Sequence, residues 1–402
     1  MEEETSAAII MKRASIGHFL SHYPAPGGTT TAVRGLCRAL ARMGHRVFIY
    51  CYCEENQLSC QEPEEIPGLE VIRFCHRPRH PFQIPERFTV RLRQNEDAID
   101  LLVIYGMFNP TTLGPAREAR RAGIPYVVCP FHPYHPDLFR KHRTKKALYA
   151  LLERPFLNKA VAIQLLSASH EQWLRRYGVQ TPAFVVPCGF DPEDFPRLVA
   201  DDTFPEANSS HALRLLYMGR TNDMYGKGLD LLFRGFALAS HQGRLPTDAL
   251  LDLVGPEGGD QKALKTLASH LRIRDKVRFL GPIRDRGSVA IISRYDVLVL
   301  TSRYDGFGLV VLEAMLAARP VIVSREAGAA SFVEEAQCGY VCVPNPESIC
   351  AALVRALETR DQWRSMGDRG RAFAYQHLTW GKVAEQASYA LERILSLRGA
   401  KV

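Results

Sequence analysis

The chain has 402 residues, of which 46% are hydrophobic and 23% are charged, and it carries a formal net charge of +8. This length is too great for one ordinary core and suits two α/β domains of a globular protein. The modest positive charge favours anionic partners, such as nucleotide phosphates or a lipid surface, and does not indicate a nucleic-acid-binding protein.

The apolar runs, the opening residues and the cysteines indicate the cellular compartment. No run of 18 or more apolar residues occurs, and the opening residues 1–4 are acidic where a signal peptide would be basic. We therefore expect a cytoplasmic protein whose membrane contact is at most peripheral, at the inner face. The ten cysteines form no C-x-x-C pair, and several lie in apolar strand-like runs. This pattern predicts reduced core cysteines, with neither zinc nor disulfides.

A glycine pair follows the first predicted strand, at residues 14–20, and precedes a predicted helix at residues 30–43. Gly27 and Gly28 lie at this strand-to-helix turn, where glycines let the backbone approach a ligand. Thr29 or Thr30 is expected to cap the helix. Many helices begin with such a turn for steric reasons alone, so the pair is weak evidence by itself.

Short apolar strands continue to alternate with helices through the first half. This alternation predicts a parallel, doubly wound sheet, which binds ligands at the carboxyl ends of its strands. His132 falls just past such an end, and His135 lies close by. Three prolines accompany them, so a rigid surface turn is the alternative reading.

A cation-rich run, Arg140–Lys146, holds five formal positive charges in seven residues at the start of a helix that we expect to reach residue 158. Such a run often forms one solvated helix face. Its functional interpretation is a region that meets a pyrophosphate-bearing or membrane-bound acceptor. A turn at residues 187–191 and a polar, proline-containing linker at residues 192–210 then end the first half.

In the second half, a predicted strand at residues 213–218 is followed by Arg220 and then by Lys227, which lies between two glycines at a helix start. Two fixed cations around a glycine-lined turn can reach one diphosphate. Surface cations in loops are common, so this is moderate evidence. The turn is not a Walker loop, because Gly228 follows Lys227 where that motif requires Ser or Thr.

The most informative stretch is residues 297–323, which predicts a strand, a turn with Gly306 and Gly308, and an apolar helix that ends before Pro320. Asp305 and Glu313 flank the helix start, about two turns apart, so both can face one crevice at the sheet's edge. The helix N-terminus suits a phosphate. The deeper carboxylate suits ribose hydroxyls. An ordinary strand-turn-helix with two solvated carboxylates is the alternative.

This stretch resembles the signature E-G-F-G-L-x-x-x-E-A-M-A-x-G-x-P-V of the large, mostly retaining family four of GT-B-fold nucleotide-sugar glycosyltransferases. Asp305 stands where the family has its first Glu, and Glu313 matches the second. The resemblance spans residues 16–380. It implies an α/β fold of GT-B type, with two facing Rossmann-like domains and a C-terminal helix that returns to the first domain.

The resemblance also implies the domain boundaries and site roles. The expected domains are an acceptor-side domain at 12–191, the linker at 192–210, a nucleotide-sugar domain at 211–378 and a crossover helix with its tail at 379–402. Catalytic roles near the sugar fall on Asp305 and on His132, with His135 as the alternative histidine. The residues implied in donor binding are Gly27, Gly28, Arg220, Lys227, Gly281, Ile283, Gly306, Phe307, Gly308, Leu309 and Glu313.

The implied reaction is a retaining, hexosyltransferase-type transfer from a nucleoside-diphosphate sugar to a lipid-linked, saccharide or small-molecule acceptor. No cofactor is expected, and no metal, since the chain has no Asp-x-Asp triplet. A front-face mechanism is favoured, because no carboxylate for a covalent intermediate is evident near His132. The alternatives are a sugar-nucleotide epimerase of the same fold and a non-catalytic nucleotide-sugar-binding relative. An NAD(P) enzyme would need a G-x-G-x-x-G motif after the first strand, and the Gly27-Gly28 pair does not match that motif.

Overall fold

The computed structural model describes residues 13–21, 23, 27–53, 66–75, 84–108, 110–131, 134–140, 143–194, 213–256, 258–282 and 287–399. The strands are β1 (Ser15–Phe19), β2 (Arg46–Cys53), β3 (Leu69–Cys75), β4 (Leu101–Tyr105), β5 (Tyr126–Cys129), β6 (Ala162–Leu165), β7 (Ala183–Val185), β8 (Arg214–Met218), β9 (Leu250–Val254), β10 (Val277–Gly281), β11 (Val297–Leu300), β12 (Val321–Ser324) and β13 (Gly339–Cys342). The α-helices are α1 (Gly28–Arg42), α2 (Glu86–Gln94), α3 (Pro110–Arg121), α4 (Arg143–Leu157), α5 (Glu171–Arg176), α6 (Leu229–His241), α7 (Gln261–His270), α8 (Ser288–Ile292), α9 (Leu309–Leu316), α10 (Ala330–Glu335), α11 (Pro346–Glu358), α12 (Trp363–His377) and α13 (Trp380–Gly399).

Two parallel sheets organise the molecule. The first has the strand order β3-β2-β1-β4-β5-β6-β7, and the second has the order β10-β9-β8-β11-β12-β13. The central strands, such as β1, β4 and β11, are buried along their whole length, because helices cover both faces of a doubly wound sheet. In each sheet the chain reverses its direction of travel at the centre, between β1 and β4 or between β8 and β11, which is where such sheets bind ligands.

The C-terminal helix α13 returns to the first sheet. Its Trp380 ring occupies the space beside Gly35 of α1, where an added Cβ would lie 2.1 Å from the ring. His45 Nε2 lies 2.8 Å from Ser388 Oγ, and the Trp380 N–H donates to the Phe190 carbonyl at 2.8 Å. The predicted return of this helix is confirmed, and Gly35 is the residue that makes room for it.

Several local predictions change. Helix α1 begins at Gly28, with Gly27 at its N-cap and no side-chain cap, so the expected capping by Thr29 or Thr30 is wrong. Helix α2 and strand β7 had no counterpart in the sequence reading. Thr379 caps α13, because its Oγ1 accepts from the Lys382 N–H at 3.3 Å. Most of the predicted linker lies outside the described residues.

None of the helices that the structure describes combines the length and apolar composition needed to cross a bilayer.

Candidate functional site

A cleft of about 650 Å³ opens between the carboxyl ends of the two sheets. The first sheet contributes the residues that follow β1, β5, β6 and β7 and the start of α1. The second sheet contributes the residues that follow β8 and β11 and the start of α9. The cleft therefore combines the crevices of two doubly wound sheets. The predicted site residues that line it are Gly27, Gly28, Arg220, Lys227, Asp305, Gly306, Phe307, Gly308 and Leu309.

An ion pair stands in this cleft. Lys227 Nζ lies 2.6 Å from Asp305 Oδ2, and both side chains keep limited solvent access, at 21% and 12%. The two residues are 78 positions apart in the chain and meet because β8 and β11 are neighbours. The turn after β8 that carries Lys227, called the lysine turn below, therefore meets the turn after β11 that carries Asp305. They meet where the strand order of the second sheet reverses.

Arg220 follows β8 and is exposed at the mouth of the cleft, and it forms no ion pair with any described residue. Its carbonyl accepts from the buried Tyr217 hydroxyl at 2.9 Å, which fixes the backbone of this turn. Burial raises the pKa of the Tyr217 hydroxyl well above its ordinary value, so this hydroxyl stays a donor. Arg220 thus supplies a permanent cation whose guanidinium can pair with an anionic ligand.

Helix α9 begins at the cleft with Gly308 as its N-cap. Gly308 has φ +86°, in the left-handed region, and an added Cβ would lie 2.8 Å from Leu300 Cδ2. Glycine is therefore required at this position by both conformation and space. Gly308, Leu309 and Val310 line the cleft, so the first N–H groups of the helix and the positive end of its dipole lie beside the cations already described.

The glycine pair of the first sheet lies across from α9. An added Cβ on Gly28 would approach Leu309 Cδ1 to 3.0 Å, so the two helix starts nearly touch across the cleft. Gly27 has open space around its Cα. The pair therefore brings bare backbone from the first sheet up to the start of α9.

Glu313 lies in the second turn of α9 and is not among the residues that line the cleft. Burial raises the pKa of its carboxyl to about 7, although a hydrogen bond with Ser288 of α8 opposes this shift. A half-buried carboxyl with a pKa near neutrality and one neutral hydrogen-bond partner is a candidate functional group.

Besides Glu313, three predicted residues are not placed at the cleft. Gly281 ends β10, and its carbonyl accepts from the Gly255 N–H at 3.0 Å. His132 and Ile283 lie outside the described residues. The alternative histidine, His135, is buried between the two sheets, with its Nε2 3.3 Å from Glu326 Oε2.

Two family models match the chain, one to each sheet. The glycosyl transferase 4-like domain matches residues 27–189, and the glycosyl transferases group 1 model matches residues 201–373. The chain belongs to the group 1 glycosyltransferases. Both the family and the enzyme class that the sequence predicted are confirmed.

Two curated proteins are similar in sequence to this glycosyltransferase. It is 25% identical to the MMP alpha-(1->4)-mannosyltransferase of Mycolicibacterium hassiacum, across 92% of this chain and 95% of that one. A shorter match is 31% identical to the N-acetyl-alpha-D-glucosaminyl L-malate synthase of Bacillus anthracis. It spans 35% of this chain and 36% of that protein.

Solved structures show the fold. A sucrose-phosphate synthase from Thermosynechococcus elongatus superposes with a TM-score of 0.74 at 22% identity, covering 96% of this chain and 100% of that one. Anabaena Alr3699/HepE, solved in complex with UDP and glucose, superposes with a TM-score of 0.68 at 20% identity, covering 95% and 100%. The two parallel sheets of this glycosyltransferase are those of the GT-B fold, as predicted.

The sequence reading missed an aromatic residue beside the lysine turn of this glycosyltransferase. The Tyr225 ring lies under the guanidinium of Arg303, with 4.0 Å from Cζ to the ring centroid. Tyr225 comes two residues before Lys227, and Arg303 two residues before Asp305. Their position inside the two predicted motifs was the available signal.

The cation-rich run does not form one solvated face. Arg140 Nη1 donates to Tyr225 Oη at 2.6 Å, and Lys146 Nζ donates to the Leu138 carbonyl at 2.5 Å. Arg143 and Lys145 are exposed on α4, while Lys141 and His142 lie outside the described residues. The described part of the run is therefore divided between cations that bond to other parts of the protein and cations exposed on α4.

Seven cysteines whose side chains the structure describes are buried: Cys37, Cys51, Cys129, Cys188, Cys338, Cys342 and Cys350. Cys188 lines the cleft, and burial raises the pKa of its thiol above the ordinary value, which keeps it protonated and unreactive. Among the residues that the structure describes, no group of three or more His, Cys, Asp or Glu side chains is arranged to hold a metal ion.

Proposed function

We propose that the protein transfers a sugar, with retention of anomeric configuration, from a nucleoside-diphosphate sugar to an acceptor bound by the first-sheet half. The observation that carries this proposal is the meeting of Arg220, Lys227 and the start of α9 in one cleft. Negative charge develops on the leaving diphosphate in the transition state. Preorganised cations and helix N–H groups stabilise such charge without reorganising.

Lys227 is assigned to the diphosphate and Asp305 to the hydroxyls of the transferred sugar. Their 2.6 Å ion pair supports this division, because it holds the ammonium and the carboxylate side by side where phosphate and sugar would meet. The diphosphate would take the lysine's remaining hydrogen-bond donors, since an ammonium has three. Asp305 would remain near the lysine while it orients the sugar.

Glu313 is assigned to the ribose, as the resemblance implies, and His132 to a sugar hydroxyl near the anomeric carbon. We propose departure of the diphosphate and arrival of the acceptor on the same face of the sugar. In this scheme the protein supplies positioning and charge stabilisation rather than a covalent intermediate.

The donor nucleotide is tested first. Because HepE was solved with UDP, UDP is compared with GDP, ADP and NAD in a thermal-shift assay. A ligand at 100 times its dissociation constant stabilises the folded state by about 2.7 kcal/mol. We expect a shift with one nucleoside diphosphate. A response to NAD alone would overturn the donor assignment.

Two other functions use the same donor cleft. An epimerase would convert a nucleotide sugar without any acceptor, so incubation with the nucleotide sugar alone should yield an epimer. A non-catalytic relative would bind the nucleotide sugar but show no turnover with any acceptor. The shorter Asp305 in place of the family's Glu keeps this second alternative under test.

We also propose that the acceptor side contacts a lipid surface at the inner membrane face. Helix α4 exposes an apolar stripe whose members follow helical spacing: Leu148, Leu151, Leu152 and Pro155. Leu148 and Leu151 are 57% and 66% exposed. Exposed cations flank the stripe, namely Arg143, Lys145, Arg154 and Lys159. Apolar side chains bordered by cations are typical of a helix that lies on an anionic bilayer.

Vesicle sedimentation tests this contact. We expect the protein to sediment with phosphatidylcholine vesicles that contain phosphatidylglycerol, and to be released by salt. Leu151→Glu should abolish sedimentation. Leu397→Glu is the matched control, since Leu397 is 64% exposed on α13, and it should sediment like the wild type. Equal sedimentation of both variants would contradict the proposed surface.

A further inference from the structure

Tyr225 joins the two sheets. Two guanidinium groups lie over its ring, with Arg303 Cζ at 4.0 Å and Arg140 Cζ at 4.4 Å from the ring centroid. Its hydroxyl donates to Asp137 Oδ1 at 2.8 Å and accepts from Arg140 Nη1 at 2.6 Å. Both cation–π contacts and charge-assisted hydrogen bonds therefore hold one side chain.

The partners of Tyr225 come from both sheets. Asp137 and Arg140 belong to the segment between β5 and α4 of the first sheet, whereas Arg303 follows β11 of the second. The tyrosine itself lies in the turn after β8. The contacts thus connect the lysine turn of the donor side to the acceptor side of the cleft.

Arg303 also fixes the backbone of the turn that carries Lys227. Arg303 Nη1 donates to the Tyr225 carbonyl at 2.7 Å, and the Arg303 N–H donates to the Gly226 carbonyl at 2.9 Å. Arg303 is itself held by two hydrogen bonds to Asp230, at 2.7 and 2.8 Å. The turn is also closely packed, because an added Cβ on Gly226 would lie 2.2 Å from Asp223 Oδ2.

We propose that Tyr225 is a positioning residue for Lys227. It attaches the turn to the first-sheet segment 137–140, and this attachment holds the ammonium at the cleft beside Asp305. The inference rests on the proposed function, in which Lys227 stabilises the leaving diphosphate. Displacement of a catalytic group by about 1 Å can cost about a hundredfold in rate, so the attachment affects turnover rather than donor binding alone.

A double-mutant cycle tests the proposal. Tyr225→Ala should lower kcat by about tenfold to a hundredfold, with a much smaller change in donor affinity. In a Lys227→Ala background the same substitution should change kcat by less than about twofold, because the group that it positions is gone. A merely structural role would lower kcat by the same factor in both backgrounds, and that result would overturn the proposal.

Milder variants keep the test informative if Tyr225→Ala folds poorly. Tyr225→Phe keeps the contact of the ring with both guanidinium groups and loses both hydroxyl contacts, so we expect an intermediate loss of kcat. Arg140→Gln should act in the same direction, and the matched control is Arg364→Gln, an exposed arginine of α12 that should behave like the wild type. Wild-type kcat in both Tyr225→Phe and Arg140→Gln would contradict the attachment to the first sheet. Wild-type kcat in Lys227→Ala would instead contradict the proposed function.

Discussion

If Glu313 holds the donor ribose as proposed, its raised pKa predicts that donor binding depends on pH. Burial raises this pKa to about 7, and a carboxylate that accepts hydrogen bonds from ribose hydroxyls must be ionised. With that pKa, about a tenth of the Glu313 side chains are ionised at pH 6 and about nine-tenths at pH 8. Donor affinity should therefore rise about tenfold from pH 6 to pH 8.

The assay is isothermal titration with the intact nucleotide sugar at both pH values. A terminal phosphate has a second pKa of about 6 and would add its own pH dependence. A nucleotide sugar has no such terminal phosphate, so it is preferred to the free nucleoside diphosphate. Glu313→Gln is the matched control, because it keeps the size of the side chain and cannot ionise. Its donor affinity should be weaker at pH 8 and nearly independent of pH.

The same substitution has an opposite effect on stability. Because the folded-state pKa lies above the ordinary value of 4.5, the folded protein binds more protons than the unfolded chain between pH 4.5 and about 7. Stability contributed by protonated Glu313 is present below this window and is lost as the pH rises through it. At pH 8, Glu313→Gln should stabilise the protein by up to about 3 kcal/mol, and at pH 4 the gain should vanish.

Two results would refute this account of Glu313. The first is a tenfold pH dependence of donor affinity that persists in Glu313→Gln. The second is a thermal midpoint of Glu313→Gln that stays equal to that of the wild type at pH 8.

Three further predictions follow from the cleft. Asp305→Ala should lower turnover while leaving nucleoside-diphosphate affinity nearly intact, and Asp305→Glu should be tolerated. An equal loss of diphosphate affinity in the alanine variant would show that Asp305 does not act on the sugar as proposed. Arg220→Ala and Lys227→Ala should each lower kcat by about a hundredfold to a thousandfold, or about 2.7–4 kcal/mol, and activity should survive excess EDTA. Activity that EDTA abolishes and magnesium restores, with Lys227→Ala near wild type, would contradict this account of the leaving group. Gly308→Ala should lower stability by about 1–2 kcal/mol and reduce turnover, because alanine at φ +86° would also place a Cβ 2.8 Å from Leu300; an unchanged thermal midpoint would show that the turn adapts.

The fold class and the central stretch of the site could be predicted from the sequence. Apolar strands that alternate with helices indicate a parallel doubly wound sheet because both faces of each strand must be buried. The turn at Gly306 and Gly308 and the following helix were predictable because glycine conformation and helix termination are local properties. The return of α13 followed only from the family resemblance, since its contact with Gly35 joins distant parts of the chain.

Only the tertiary structure determined how the charged residues combine. Lys227 and Asp305 are 78 positions apart, and Arg140 and Tyr225 are 85 positions apart, so no local pattern could pair them. The same packing divided the cation-rich run, because Arg140 turns to the second sheet while Arg143 stays on the surface. It also left Leu148 and Leu151 of α4 exposed, although their spacing is equally typical of a buried helix face. Sequence spacing specifies which side chains share a face of an element, and the packing of the two sheets decides what each face meets.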